Sequence, residues 1–239
     1  MSRYALVIAG CLSGERGDAG VAALVDELAA AAGADVVLRA RTGGRPVGAS
    51  LPEVLADLRG RGVRRALVVT THVADGRLQR ETTGALRDAA TTFDELRLAP
   101  PLLASAEDLA VVARALDAVL PAEPGRIVAL AGHRGAELEA ALARLEAALS
   151  AVGRGDVLVD APDRLAARLQ GRPGWRVLLG PFLMALGHHA RHDVLVDLRA
   201  RLEDAGLDVA AWPHSLAELP AVRELVIAHA LAAEPILVG

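Results

Sequence analysis

The sequence predicts an α/β protein of two similar lobes, each a parallel sheet flanked by helices, with a cleft between them. Three observations carry this. Short aliphatic runs alternate with amphipathic helical stretches along the whole chain, the pattern of parallel strands joined by right-handed crossovers. Eight such strand–helix units divide into two sets of four. Between the sets, Pro121, Pro124 and Gly125 mark a linker. The expected domains are therefore 1–121 and 122–239, the second carrying most of the functional site. A single eight-stranded barrel is the competing arrangement.

The elements follow in order. Residues 4–9 read as a buried strand. Residues 21–32 have apolar positions at helical spacing, with Gly33 as the stop. Residues 34–40 form a strand, and Ser50, Pro52 and Glu53 make a capping box before a helix over 51–59. A strand at 65–70, a polar helix at 79–92 and a short strand at 95–98 complete the first set. Its last helix, 106–120, has Ser105 as N-cap. The second set repeats the rhythm with strands at 126–130, 156–159, 176–179 and 207–211. Helices fall at 137–149, from Asp163, and at about 192–205. A last helix follows the Ser215–Glu218 capping box and ends near Ala232.

Composition excludes several functions. The chain has 239 residues, enough for a sizeable core, and 53% are hydrophobic. No apolar run reaches the roughly 20 residues of a membrane span, so no membrane association is expected. All 26 basic side chains are arginine, read as composition bias, and they form no run. With a net charge of −4, a nucleic-acid partner is not expected. The single Cys11 rules out an internal disulfide and a cysteine-based metal cluster. The first residues are already strand-like rather than leader-like, which points to the cytoplasm. Nothing in the sequence opposes a homo-oligomer. No nucleotide is expected either, because neither Gly14 nor Gly43-Gly44 lies in a phosphate-binding motif.

The histidines are unevenly placed. In open parallel sheets, ligands sit beyond the carboxyl ends of the strands. Six of the seven histidines fall within or just beyond those loops: His72, His133, His188, His189, His192 and His214. His229 lies in the last helix and reads as structural. His133 follows Gly132 at a strand end, where the missing Cβ lets another group approach the backbone. The segment from Gly180 to Asp193 gathers His188, His189, His192 and a carboxylate at the start of a helix. Imidazole titrates near neutrality and binds borderline divalent metals, so His133 and this cluster are the candidate metal ligands and proton acceptors. Asp160, closing its strand, can add an oxygen ligand or serve as a turn acid. The spacing does not fit the zincin motif His-Glu-x-x-His, although a metal-dependent hydrolase stays open.

Several motifs resemble the anaerobic-pathway cobalt chelatases that act on sirohydrochlorin. They are Pro181-Phe-Leu-Met184, Gly187-His-His-Ala190 with Asp193, Trp212, Pro220-Ala-Val-Arg223 and Ala228-His229. Upstream, Ala131-Gly-His133, Thr71-His72-Val-Ala-Asp-Gly76 and Pro101-Leu-Leu103 are similar to that family's other loops. The resemblance runs through nearly the whole chain, most weakly over the first 60 residues. It implies two α/β lobes around a tetrapyrrole cleft. It also implies ATP-independent insertion of a divalent metal, Co²⁺ ahead of Ni²⁺ or Fe²⁺, in cobalamin biosynthesis. The metal site it implies is His133, Asp160 and His189. His133 and His189 would be the catalytic pair, facing each other across the cleft. Arg16, Arg41, Arg45, Arg77, Arg134 and Arg191 would pair with substrate carboxylates. The chain departs from the family at Cys11 and Leu12, at Leu78, and at Asp160, where the family has Glu. It departs again at His188, in place of an acid, and His192, in place of Asn. These departures motivate the alternative of a non-catalytic metal or tetrapyrrole carrier.

Overall fold

The computed structural model describes residues 3–10, 18–43 and 48–237. Its strands form two four-stranded parallel sheets, of order β2-β1-β3-β4 and β6-β5-β7-β8, so the barrel is not the fold. The chain divides into two compact units, Met1–Ala104 with Arg223–Gly239, and Ser105–Val222.

In the first unit β1 (Tyr4–Gly10) is central and buried from Ala5 onward. It pairs with β2 (Val36–Arg41) and β3 (Arg65–Thr70), and β3 pairs with β4 (Glu95–Leu98). The aliphatic run Ala5–Ala9 of β1 suits a strand covered on both faces. Helix α1 (Ala19–Ala32) is capped by Asp18 and stops at Gly33, whose φ of 61° is the left-handed conformation glycine adopts without strain. Helix α2 (Leu51–Gly60) starts on the Ser50–Glu53 capping box. Val54, Leu55, Leu58 and Leu86 of α2 and α3 (Arg77–Ala90) bury one face of the sheet.

The second unit repeats this plan. It holds α4 (Ala106–Asp117), β5 (Arg126–Ala131), α5 (Ala136–Ala151), β6 (Val157–Asp160), α6 (Pro162–Leu169), β7 (Arg176–Pro181), α7 (Arg199–Asp204) and β8 (Asp208–Ala211). Corresponding loops are tied alike. Leu102 and Leu103 donate backbone hydrogen bonds to the carbonyls of His72 and Val73. Leu216 and Ala217 do the same to Leu183 and Met184. Helix α8 (Pro220–Ala232) begins at the end of the second unit and returns to the first, where Arg223 pairs with Glu27.

The units do not divide near Pro121. Helix α4, expected to close the first lobe, packs on α5 of the second unit. Arg154, 4% exposed, donates to the carbonyls of Leu120 and Pro121 and to Asp117 and Asp156. A proline-rich stretch reads as a linker by composition, but here its backbone is hydrogen-bonded into the unit that follows it.

The segment leading into α7 also departs from expectation. A helix starts at His189, three residues early, and its first ten residues, His189–Leu198, are π-helical, with a wider turn than the α-helix. The burial pattern explains the winding. Ala190, Val194, Leu198 and Leu202 are all buried, at a constant spacing of four. The last three join a core cluster with Leu165, Leu169 and Leu179. A constant spacing of four drifts around an α-helix of 3.6 residues per turn, and an under-wound helix keeps it on one face.

Candidate metal centre

Strands β5 and β7 are neighbours in the second sheet. They lie where the strand order reverses, the crevice in which parallel α/β sheets bind ligands. His133 follows β5 by two residues, held by a hydrogen bond from the Gly132 N–H to the Asp160 carbonyl (3.0 Å). A Cβ at Gly132 would stand 2.9 Å from Leu142 Cδ1, so any larger residue there would make the buried Leu142 side chain shift. After β7 the chain runs through Phe182, Leu183 and Met184, all buried. It is pinned by the Phe182 N–H to the Ala131 carbonyl at 2.8 Å. It then reaches His189 in the first turn of the π-helical segment. The Arg191 guanidinium steadies the approach by donating to the Leu186 carbonyl (2.8 Å).

These two paths bring the rings of His133 and His189 together, edge to face, with centroids 5.1 Å apart. The pair that the sequence suggests is therefore assembled. Both lie in the second unit, the part of the chain expected to carry most of the site, on loops that follow adjacent strands of one sheet. Asp193, one turn beyond His189, accepts a short hydrogen bond from His189 Nδ1 (2.5 Å). That bond is the main reason the Asp193 carboxyl is held below its ordinary value; the nearby positive character of His189, His188 and Arg134 adds to it. A carboxylate accepts only, so Nδ1 carries a proton toward Asp193 and Nε2 is the nitrogen left to meet a metal. The sequence reading includes Asp193 in the cluster without giving it a role. The i,i+4 spacing from His189 was the available signal.

Asp160 does not join the pair. Its carboxylate accepts from the Ala161 N–H (2.9 Å), from Arg164 and, more distantly, from Arg168. It lines a groove of about 400 Å³ with Glu139, Glu146 and the two arginines. Among the described residues no three His, Cys, Asp or Glu side chains stand close enough to hold one ion. The three-ligand set is corrected on this point. Asp160 ends an edge strand, and its side chain turns to the first turn of α6, where the helix dipole and Arg164 and Arg168 hold it.

His188 and His192 stack on each other with centroids 4.4 Å apart and planes tilted by 31°, and His188 lies 6.3 Å from His189. His214 pairs with Glu218 (2.7 Å), and His229 is half-buried in α8. In the first unit His72 is enclosed by Thr42 and Gln79, at 3.0 and 2.9 Å. Burial pushes its pKa down. The described arginines expected to read substrate carboxylates all have protein partners. Arg134 pairs with Asp163, Arg77 with Glu81, Arg41 donates to the Gly43 and Gly48 carbonyls, and Arg191 to Leu186. Each keeps N–H donors beyond these bonds. Cys11, Leu12, Gly14, Arg16, Gly44 and Arg45 lie outside the described residues.

The family model for cobalt chelatase (CbiK) matches residues 37–234, most of the chain. The chain belongs to the cobalt chelatase (CbiK) family. Among solved structures it is similar to SirB from Bacillus subtilis with Fe³⁺, at 13% identity and a TM-score of 0.62 over 95% of this chain and 94% of that one. The sirohydrochlorin chelatase SirB from Bacillus subtilis subspecies spizizenii in complex with cobalt is similar at 12% identity. Its TM-score is 0.64, over 96% of this chain and 94% of that one. CbiX, described as the terminal enzyme of siroheme biosynthesis in denitrifying bacteria, is 20% identical with a TM-score of 0.57, covering 96% and 99% of the two chains. These likenesses establish the two-sheet chelatase fold. No curated protein matches the chain. Among the described residues, no helix of this family member is long and apolar enough to cross a membrane.

Proposed function

We propose that this chelatase-family protein inserts a divalent metal, Co²⁺ foremost, into a tetrapyrrole of the sirohydrochlorin class, without ATP. The setting is cobalamin biosynthesis in the cytoplasm. One observation carries the reading: His133 and His189 meet at the topological switch point of a sheet, with Asp193 orienting one of them. Metal insertion requires that two pyrrole N–H protons leave and that the ion shed water as it is handed over. Two neutral imidazoles hold a borderline divalent ion while leaving positions for macrocycle nitrogens. Once the ion has moved, a vacated imidazole accepts a pyrrole proton near neutral pH. His133 and His189 are the catalytic residues in this scheme. The donors left on Arg134 and Arg191, beside the pair in sequence, suit a substrate rich in carboxylates.

The test is direct. Sirohydrochlorin and Co²⁺ are mixed with the protein and the absorption change of metal insertion is followed. His133→Ala and His189→Ala are expected to abolish acceleration while keeping the native circular dichroism. Unchanged rates in both variants refute the scheme. The removal of Asp160 from the ligand set favours one second reading, a metal or tetrapyrrole carrier. In the same assay a carrier binds one component and leaves the insertion rate untouched.

A further inference from the structure

Outside the His133–His189 pair, the second unit carries another pair of imidazoles that the scheme above does not use. His188 and His192 are both exposed, lie four residues apart and stack with centroids 4.4 Å apart. We propose that they form a second divalent-cation site, which captures the metal from solvent and passes it to His189.

The winding of the helix argues for it. Two histidines at i and i+4 on one helix face are a recurrent chelating arrangement for borderline divalent metals. In an ordinary α-helix such residues are offset around the axis. The π-helical winding from His189 onward, imposed by the four-residue spacing of the buried Ala190–Val194–Leu198 stripe, brings them nearly into line. The two rings lie 4.4 Å apart, centroid to centroid, with their planes tilted by 31°. An ion bridging them needs only rotation about χ2, a soft torsion for histidine. The same core stripe that shapes the helix therefore shapes the outer pair.

Position supplies the direction of transfer. The His188 ring is 6.3 Å from His189, and His189 is 5.1 Å from His133. The imidazoles form a row that starts at the exposed His188–His192 pair and ends at the pair assigned to insertion. Passage along the row exchanges one metal–nitrogen bond for another with no change of oxidation state, and water fills the positions left open. The transfer half of the proposal rests on the chelatase reading. The existence of the outer site does not.

The experiment uses the full chain and Co²⁺ alone, with bound metal counted by equilibrium dialysis and elemental analysis. The wild type is expected to bind two Co²⁺ per chain. The double variants His188→Ala/His192→Ala and His188→Gln/His192→Gln are expected to bind one. The double variant His133→Ala/His189→Ala is also expected to bind one, at the outer pair. A wild type that binds a single ion overturns the outer site, as does a His188/His192 variant that keeps both. Loss of both ions from the His133/His189 variant overturns its independence. Failure of the chelatase reading appears separately, as His133/His189 variants that still insert metal. For transfer, the His188/His192 variants are expected to raise the half-saturating Co²⁺ concentration for insertion about tenfold, with the cost on KM rather than kcat. An unchanged KM overturns the transfer step.

Discussion

His189 Nδ1 and Asp193 Oδ2 stand 2.5 Å apart, one helical turn from each other, and this contact decides which nitrogen of the His189 ring is available to a metal. Oriented imidazole ligands depend on such a partner for tautomer and basicity. Asp193→Asn keeps the shape but can place an amide N–H toward Nδ1, favouring the other tautomer. The variant is expected to lose roughly 10–100-fold in Co²⁺ affinity at the inner pair, measured by competition titration with a chelating dye. A loss of less than twofold removes Asp193 from the site.

Asp160 separates two accounts of the same acid. Its buried carboxylate holds the Ala161 N–H and the Arg164 and Arg168 guanidinium groups. Asp160→Ala leaves the Ala161 N–H without an acceptor at the start of α6, a cost of about 1–3 kcal/mol. The expected result is a lower Tm with inner-site Co²⁺ affinity changed by less than about twofold. A large drop in affinity at unchanged Tm restores Asp160 to the metal.

These two residues also mark what the sequence could and could not convey. The ends of β5 and β7 were legible to within two residues from short aliphatic runs followed by glycine, and the switch-point rule then selected His133 and the Gly180–Asp193 segment. Side-chain direction at the end of β6 was not legible. An acid after a strand can point to the sheet crevice or to the next helix, and Arg164 and Arg168, spaced four apart on α6, settle it. The π-helical winding was legible only as a stripe repeating every four residues, read as an ordinary helix starting later. The division of the chain was misplaced because Pro121 signals a turn, while Arg154, 33 residues on, determines which unit that turn belongs to.

His72 offers a test in the first unit. Gln79 Nε2 reaches toward the Ala99 carbonyl (3.4 Å), so its Oε1 faces both Thr70 and His72. His72 is therefore protonated at Nδ1, and Nε2 accepts from the Thr42 hydroxyl (3.0 Å). Burial lowers its pKa, and the Gln79 bond partly opposes that. A histidine with a folded pKa below its unfolded value binds more protons when unfolded. Its contribution to stability is complete above the unfolded value of about 6.5 and is lost as pH falls toward the folded one. An NMR titration is expected to place the His72 midpoint below 6.5 and, in Gln79→Leu, lower still. A midpoint that rises in the variant refutes the hydrogen-bond assignment.

Arg154 tests the placement of the Pro121 stretch. Its buried guanidinium makes a forked pair with Asp156, with both bonds at 2.8 Å. It also donates to the carbonyls of Leu120 and Pro121, at 3.1 and 3.2 Å. Arg154→Met fills similar space but leaves these carbonyls and the Asp156 carboxylate without their donor, a cost of about 3 kcal/mol. The hydrogen bond from Arg154 is the largest cause of the lowered Asp156 pKa. A depressed carboxyl contributes stability that is present above its unfolded pKa and lost as pH falls through the folded one. Wild type and Arg154→Met should therefore differ most in Tm near pH 7 and converge in acid. If residues 118–125 were a free linker, the substitution would leave Tm unchanged at every pH, and hydrogen exchange at the amides of Ala118, Val119 and Leu120 would already be fast in the wild type. Protection there that weakens on mutation is the expected outcome, because Arg154 ties the Leu120 and Pro121 carbonyls that follow these amides to the second unit.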